Sequence, residues 1–148
     1  MSGIPALSRD RLLKDAGLVK LAETELAGPV SPLAAWRAIA SSESRPTVVL
    51  GDGGPVPATE IGDCWEELAR QHGIIENDGS FLLSPSGTGF SALPWAKVRS
   101  AAGYARMSEA LEVEPGSPEF LTISSDGRRL CGVTTEEHGI WVICLELA

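Results

Sequence analysis

Positive charge is scarce in this sequence. Twelve Lys and Arg face twenty Asp and Glu, leaving a formal charge of −8 at pH 7. Duplex DNA, RNA and anionic membranes all require basic surface, so neither nucleic acid nor membrane is expected as the main partner. Long apolar runs are missing too. The longest, Ile140 to Leu145, falls far short of the ~20 residues that span a bilayer. No charged start followed by an apolar stretch opens the chain, so no secretory signal is expected and a cytoplasmic location is. Cysteine occurs only at 64, 131 and 144, with no C-x-x-C and no Cys/His spacing of a zinc site. Reduced, buried thiols are the expectation. The two histidines, His72 and His138, complete no nucleophile-elbow, zincin, kinase or papain-like pattern with any Cys or Ser. The glycine-rich stretch GDGGPVP at 51–57 lacks the Gly-Lys-Ser/Thr ending of a phosphate-binding loop. No catalytic residue, metal or cofactor is therefore assigned, and an enzyme of unnamed reaction ranks behind binding functions.

What is present suffices for one domain with a sizeable core: 43% of the 148 residues are apolar. The clearest pattern lies at the end, from Phe120 to Leu147, where three short apolar runs are divided by two turn signals. Asp126-Gly127 reads as a two-residue hairpin loop that needs two residues at positive φ. Glu136-Glu137-His138-Gly139 ends on a glycine, where a left-handed residue costs least. Together they predict a three-stranded antiparallel meander over about 120–147. Its register sets Ile123 against Leu130, Leu121 against Gly132, Val133 against Val142, Cys131 against Cys144 and Arg129 against Glu146. One face collects Leu121, Ile123, Leu130, Trp141, Ile143 and Leu145 and reads as core. The other, around Phe120, Val133 and Val142, reads as uncovered.

Upstream, Ser8 caps a helix over Arg9 to Ala16 with Asp10–Lys14 as an i,i+4 pair. Leu18, Leu21, Ala22 and Leu26 continue its stripe to a stop at Gly28-Pro29. Ser31-Pro32 opens a second helix carrying Leu33, Trp36, Ile39 and Ala40 on one side and fading into Ser41-Ser42. Thr47 to Leu50 reads as a short buried strand. Asp63 with Glu66 makes a capping-box-like start for a helix with Ile61, Trp65 and Leu68 along one side, and His72 in its last turn suits the helix dipole. Ile74-Ile75, a turn at Asn77-Asp78-Gly79 and Phe81 to Leu83 read as a hairpin, giving a helix-plus-hairpin over about 60–84. Ser91 to Leu111 is the longest predicted helix, and Glu112 to Pro118 a loop. Trp36, Trp65, Trp95 and Trp141 fall in different elements, each expected to anchor its element to one core. The fold class is α+β, a single domain over 1–148 with the meander packed against helices.

The fragment LARQHGIIENDGSFLLSPSG, residues 68 to 87, resembles the end of a winged-helix domain: a helix, a glycine, an apolar strand, a tight turn and a second apolar strand. The resemblance implies a regulator. Glu60, Asp63, Glu66 and Glu67 against Arg70 on the would-be recognition helix turn that implication toward a protein partner rather than DNA.

Acid gathers in two windows. Glu60, Asp63 and Glu67 recur at helical spacing beside the Ile61/Trp65/Leu68 stripe, so they should be exposed while the stripe is buried. Glu109, Glu112, Glu114 and Glu119 follow the 91–111 stretch, with no Lys or Arg between Met107 and Asp126. These seven are the candidate partner-binding residues, because unpaired like charges gain from docking a basic surface. The expected function is that of a small acidic protein that neutralises or escorts another protein, a class of which immunity proteins and secretion chaperones share the size and charge. A small-molecule-binding sensory domain and a protein-binding winged-helix-like regulator are the alternatives.

Overall fold

The computed structural model describes residues 3–24, 30–41 and 45–147. Helix α1 (Gly3–Asp15) leads into β1 (Leu18–Thr24), and α2 (Pro32–Ile39) precedes the short strand β2 (Val48–Leu50). Helix α3 (Ala58–Gln71) is followed by β3 (Ser80–Pro85), a single 3-10 turn at Phe90–Ala92, and β4 (Trp95–Ser100). Helix α4 (Tyr104–Ala110) ends in a small hairpin, β5 (Glu112–Glu114) and β6 (Ser117–Pro118). The chain closes with β7 (Phe120–Ile123), β8 (Arg129–Glu136) and β9 (Gly139–Glu146). Seven strands form one sheet in the order β1-β4-β3-β7-β8-β9-β2, antiparallel at every described pairing. The fold class is α+β. Among the described residues no helix is long and apolar enough to cross a membrane.

The meander adopts the register that its alternation demands, with Ile123 opposite Leu130, Cys131 opposite Cys144, Val133 opposite Val142 and Arg129 opposite Glu146. Its first turn differs in type. Among the described residues only glycines have positive φ, so Asp126 is not left-handed. Gly127, at φ +73°, ends a β-turn in which its N–H donates to Ser124 O at 2.9 Å. Asp126 instead accepts the Ser124 hydroxyl at 2.6 Å and the Arg128 N–H at 3.0 Å, fixing the turn through its side chain.

Both faces of the sheet are covered, which corrects the expectation of an open face. Phe120, Val133 and Val142 are wholly buried beneath α3, whose Ile61, Trp65 and Leu68 face the sheet, and α4, which adds Met107. Leu121, Ile123, Leu130 and Ile143 pack on the opposite side against Ala35 and Ile39 of α2. The tryptophans divide accordingly rather than sharing one core. Trp65 sits in the first layer, while Trp95 sits in the second with Trp36 and Trp141 packed at its margin.

Two predicted helices contain strands. The stripe from Leu18 onward is β1, because Gly17 turns the chain at φ +72° and Leu18–Thr24 pairs with β4. Leu26, Gly28-Pro29 and Ser42 lie outside the described residues. The long helix over 91–111 divides into β4 and α4 at Gly103, whose φ is +87°. β4 lies between β1 and β3, with Trp95 buried on one face and Ala96 and Val98 on the other. Burial on both faces, not local propensity, decides such a segment. Of the hairpin in the helix-plus-hairpin, the turn and the second arm stand. Glu76 N–H donates to Ser80 O at 2.8 Å, but only Ser80–Pro85 is a strand, and it pairs with β4 and β7. The winged-helix-like fragment therefore builds no wing.

Helix starts were legible once. Ser31 Oγ accepts the Ala34 N–H at 3.2 Å as the cap of α2, although the buried side is Pro32, Ala35 and Ile39 and Leu33 is exposed. Helix α3 begins at Ala58 behind Pro57, upstream of Asp63, so the capping box does not form. Ser8 lies inside α1, and Asp10 pairs with Lys20 of β1 at 3.0 Å instead of Lys14. The Glu112–Pro118 loop is the β5–β6 hairpin. β2 is an edge strand with Val49 about half exposed, not a buried one.

Candidate functional site: an acidic groove at one end of the sheet

Antiparallel pairing fixes which loops meet. Glu136 pairs with Gly139, Leu50 with Ile140 and Phe120 with Val133, so the end of β2, the β8–β9 turn and the start of β7 share one end of the sheet. The GDGGPVP loop leaves β2 here and delivers α3, placing Glu60 in the first turn of that helix. Gly53 lies so close to the β8–β9 turn that a Cβ there would stand 3.2 Å from Glu137 O. The β5–β6 hairpin closes the other side, where the Thr135 hydroxyl donates to Pro118 O at 2.9 Å. A groove of about 270 Å³ runs between Gly53, Pro55, Pro115, Gly116, Thr135 and Glu136.

Its surroundings are acidic. Glu136 lines it, Glu112 bonds the Gly116 N–H on its wall, and Glu119 lies near enough to Glu136 to feel its charge. Asp52, Glu114 and Glu137 adjoin lining residues in sequence, whereas Glu60 does not line the groove. Asp63 and Glu67 continue the exposed face of α3 away from Glu60, while Ile61, Trp65 and Leu68 are buried, as the spacing predicts. Among the described residues no Lys or Arg forms an ion pair with any of Asp52, Glu60, Asp63, Glu67, Glu112, Glu114, Glu119 or Glu136. Glu112 is partly occupied, accepting the Gly116 N–H at 2.9 Å across its own hairpin. Glu109 departs from the expectation of an unpaired window. It bonds Arg106 one turn back on α4 at 3.2 Å, so it is not part of the unpaired set. Asp52, Glu136 and Glu137 escaped the windows because each stands in a turn whose spatial neighbours come from distant sequence.

Glu119 is half-buried, and burial raises its carboxyl above the ordinary range, with the charge of Glu136 adding to the rise and the Thr135 backbone opposing it. A raised carboxyl contributes stability that is complete below the unfolded value of ~4.3 and is lost as pH climbs through the folded one. Glu119→Gln removes that loss. Its melting midpoint should therefore exceed that of the wild type slightly at pH 7, with the advantage gone near pH 4. Equal midpoints across that range would mean that Glu119 titrates as though exposed.

Cys64 sits on α3 between Glu60 and Glu67. Burial first, then Glu67, then Cys144 and more weakly Glu60, push its thiol up. His72 closes α3, its backbone N–H donating to Leu68 O at 2.9 Å, and His138 stands exposed at the β8–β9 turn, 3.9 Å from Glu137. Among the described residues neither histidine forms a hydrogen bond with a cysteine or serine side chain. No protein-family model, curated protein or solved structure matches the chain.

Proposed function

We propose that the chain is a protein-binding protein that docks a basic surface of its partner on the acidic groove, and so neutralises or escorts that partner. What supports this reading is the gathering of Glu112, Glu119 and Glu136 beside one groove, with Asp52, Glu114 and Glu137 next to its lining in sequence and, among the described residues, no Lys or Arg ion pair to any of them. Carboxylates crowded this way repel one another, and a cationic partner relieves the repulsion while being steered toward the site. The groove is lined mostly by glycine and proline with Ser117, Thr135, Glu136 and Ile140, so a partner's backbone and a few basic side chains can approach closely. The same charge disfavours nucleic acid, whose phosphates the acidic end and the exposed face of α3 would repel. A cytoplasmic location fits the free cysteines.

Affinity capture would supply the partner, and association rates would test the site. Two double reversals, Glu60→Lys with Glu67→Lys and Glu114→Lys with Glu137→Lys, change exposed acids that, among the described residues, pair with no Lys or Arg. Each should slow association by roughly tenfold or more at low salt, less at high salt, while folding stability stays within ~0.5 kcal/mol. Random duplex DNA at the same low salt should not bind up to tens of micromolar, where non-specific DNA binders register. If both variants associate as the wild type does, the acid serves solubility and the proposed docking site is wrong.

A further inference from the structure

The docking reading leaves one constellation unused. Cys131 of β8 and Cys144 of β9 oppose each other directly, and their sulfurs are 2.7 Å apart. The ladder explains why they come so close. Cys144 N–H points outward to the Thr47 hydroxyl at 2.9 Å, and Cys131 O points the other way, accepting the Thr122 hydroxyl at 2.6 Å. The pair therefore exchanges no backbone hydrogen bonds. Such a position brings Cα atoms to ~4.5 Å and side chains nearer than at the alternate positions. That separation falls within the ~4.4–6.8 Å that a disulfide accepts, so a bond could close without moving the backbone. Access is asymmetric. Cys131 is wholly buried, whereas Cys144 is half-buried and open to a small reagent.

We propose that Cys131 and Cys144 are a site of two-electron oxidation by hydroperoxides, closing to a cross-strand disulfide. The reaction begins at Cys144. Its thiol is drawn below the ordinary value chiefly by the hydrogen bond shared with Cys131, against partial burial and with the Thr47 hydroxyl assisting, while the same contact and burial push Cys131 up. The Cys144 thiolate attacks the outer oxygen of the hydroperoxide, the O–O bond breaks, and the leaving oxygen takes the proton that the thiol gave up. Cys144 is then a sulfenic acid. The Cys131 sulfur attacks the Cys144 sulfur, the S–O bond breaks, and hydroxide leaves as water with the Cys131 proton. Two thiols and one hydroperoxide give one disulfide, one water and one alcohol (a second water when the reagent is hydrogen peroxide). The sulfurs lose two electrons and the peroxide gains them, and a dithiol reductant reverses the change. Cys64 of α3 packs against the same layer and lies within electrostatic reach of both thiols, but only Cys131 and Cys144 are in contact, and the Cys64 thiol is raised by burial.

The test uses the full reduced chain with a small excess of hydrogen peroxide, followed by denaturation, alkylation, intact mass and peptide mapping. Cleavage after Glu136 or Glu137 separates the two cysteines, so a surviving link is diagnostic. The expected product has lost two hydrogen atoms, keeps only Cys64 open to alkylation, joins Cys131 to Cys144, and regains all its thiols with dithiothreitol. Cys64→Ser should close in the same way, leaving no thiol to alkylate. Cys131→Ser should stop at the Cys144 sulfenic acid, trapped by dimedone. Should the serine at that buried position prevent folding, the wild type and Cys64→Ser still decide. Three alkylated cysteines after peroxide, or a link that includes Cys64, would overturn the proposal.

Discussion

Trp65→Ala should cost about 3–5 kcal/mol, the range for deleting a fully buried large aromatic, out of a total stability of ~5–15 kcal/mol for a natural domain. Trp65 is wholly buried at the junction of α3, α4 and the sheet. Its ring lies 5.0 Å from those of Phe81 and Tyr104 and 6.1 Å from that of Phe120. These tilted and edge-on contacts add to the area buried. Its indole N–H donates to Thr122 Oγ1 at 3.1 Å, and Thr122 in turn donates to Cys131 O at 2.6 Å, tying the helix to the sheet through a closed polar chain. Truncation leaves a cavity that three rings cannot all collapse into. In urea melts the midpoint should fall with an unchanged slope, and the thermal midpoint should drop by an amount of order 10 °C. Trp65→Phe keeps most of the packing and should lose about 1–2 kcal/mol, from the smaller ring and the missing indole donor. A loss below ~1 kcal/mol in the alanine variant would show that the layer beneath α3 repacks freely, against the density of a folded core.

How much of this fold could be read from the sequence depends on where each element's reasons lie. The meander was legible because its reasons are local. Apolar residues alternate, Gly127 and Gly139 sit at the turns, and a one-residue slip would have separated Arg129 from Glu146. Strand β4 was not legible. Ala96, Lys97 and Arg99 are all acceptable helix residues, and only the pairing of β4 with β1 and β3 makes the segment extended. β1 failed for the same reason, since Leu18, Leu21 and Ala22 match a helical stripe by spacing alone. Nothing near Arg9 announces that it is buried. Its guanidinium reaches Pro94 O and Glu23, on segments that fold against it from elsewhere in the chain.

The candidate site divides along the same line. In the first acid window the exposure of Glu60, Asp63 and Glu67 was legible, because it follows from their place beside a buried helical stripe, while Glu66 between them pairs with Arg70 one turn on. The second was legible only as composition. That Glu112 and Glu114 stand on a hairpin against β8, while Glu109 turns back to Arg106, depends on where α4 ends. The groove was hidden until β2 was placed beside β9, since only that pairing carries the GDGGPVP loop to the β8–β9 turn. Long-range pairing costs loop-closure entropy and leaves no periodic mark in the sequence.

Gly62 lies in the interior of α3, and its substitution separates local from tertiary reasoning by the sign of the result. Helix propensity alone says that Gly62→Ala should stabilise by up to about 1 kcal/mol, since glycine is the poorer helix former. Packing says the reverse. A Cβ at position 62 would stand 2.7 Å from the carbonyl carbon of Tyr104, 2.8 Å from Ala105 N and 2.8 Å from Tyr104 O. These are backbone atoms of the first turn of α4, which cannot rotate aside as a side chain can. The two helices would have to separate, loosening Tyr104 and Met107 over Trp65. The expected net effect of Gly62→Ala is a loss of about 1–3 kcal/mol, the usual cost of overpacking a close contact, with Gly62→Val costing more. Gly132 in β8 supplies the internal comparison. A Cβ there would meet Leu121 Cδ2 at 2.6 Å and Ile39 Cδ1 at 2.7 Å, both free ends of flexible side chains. Gly132→Ala should therefore cost less than Gly62→Ala, although its nominal overlaps are as short. Urea melts of the three variants beside the wild type check the order. If Gly62→Ala came out more stable than the wild type, α3 and α4 would not approach as closely as described.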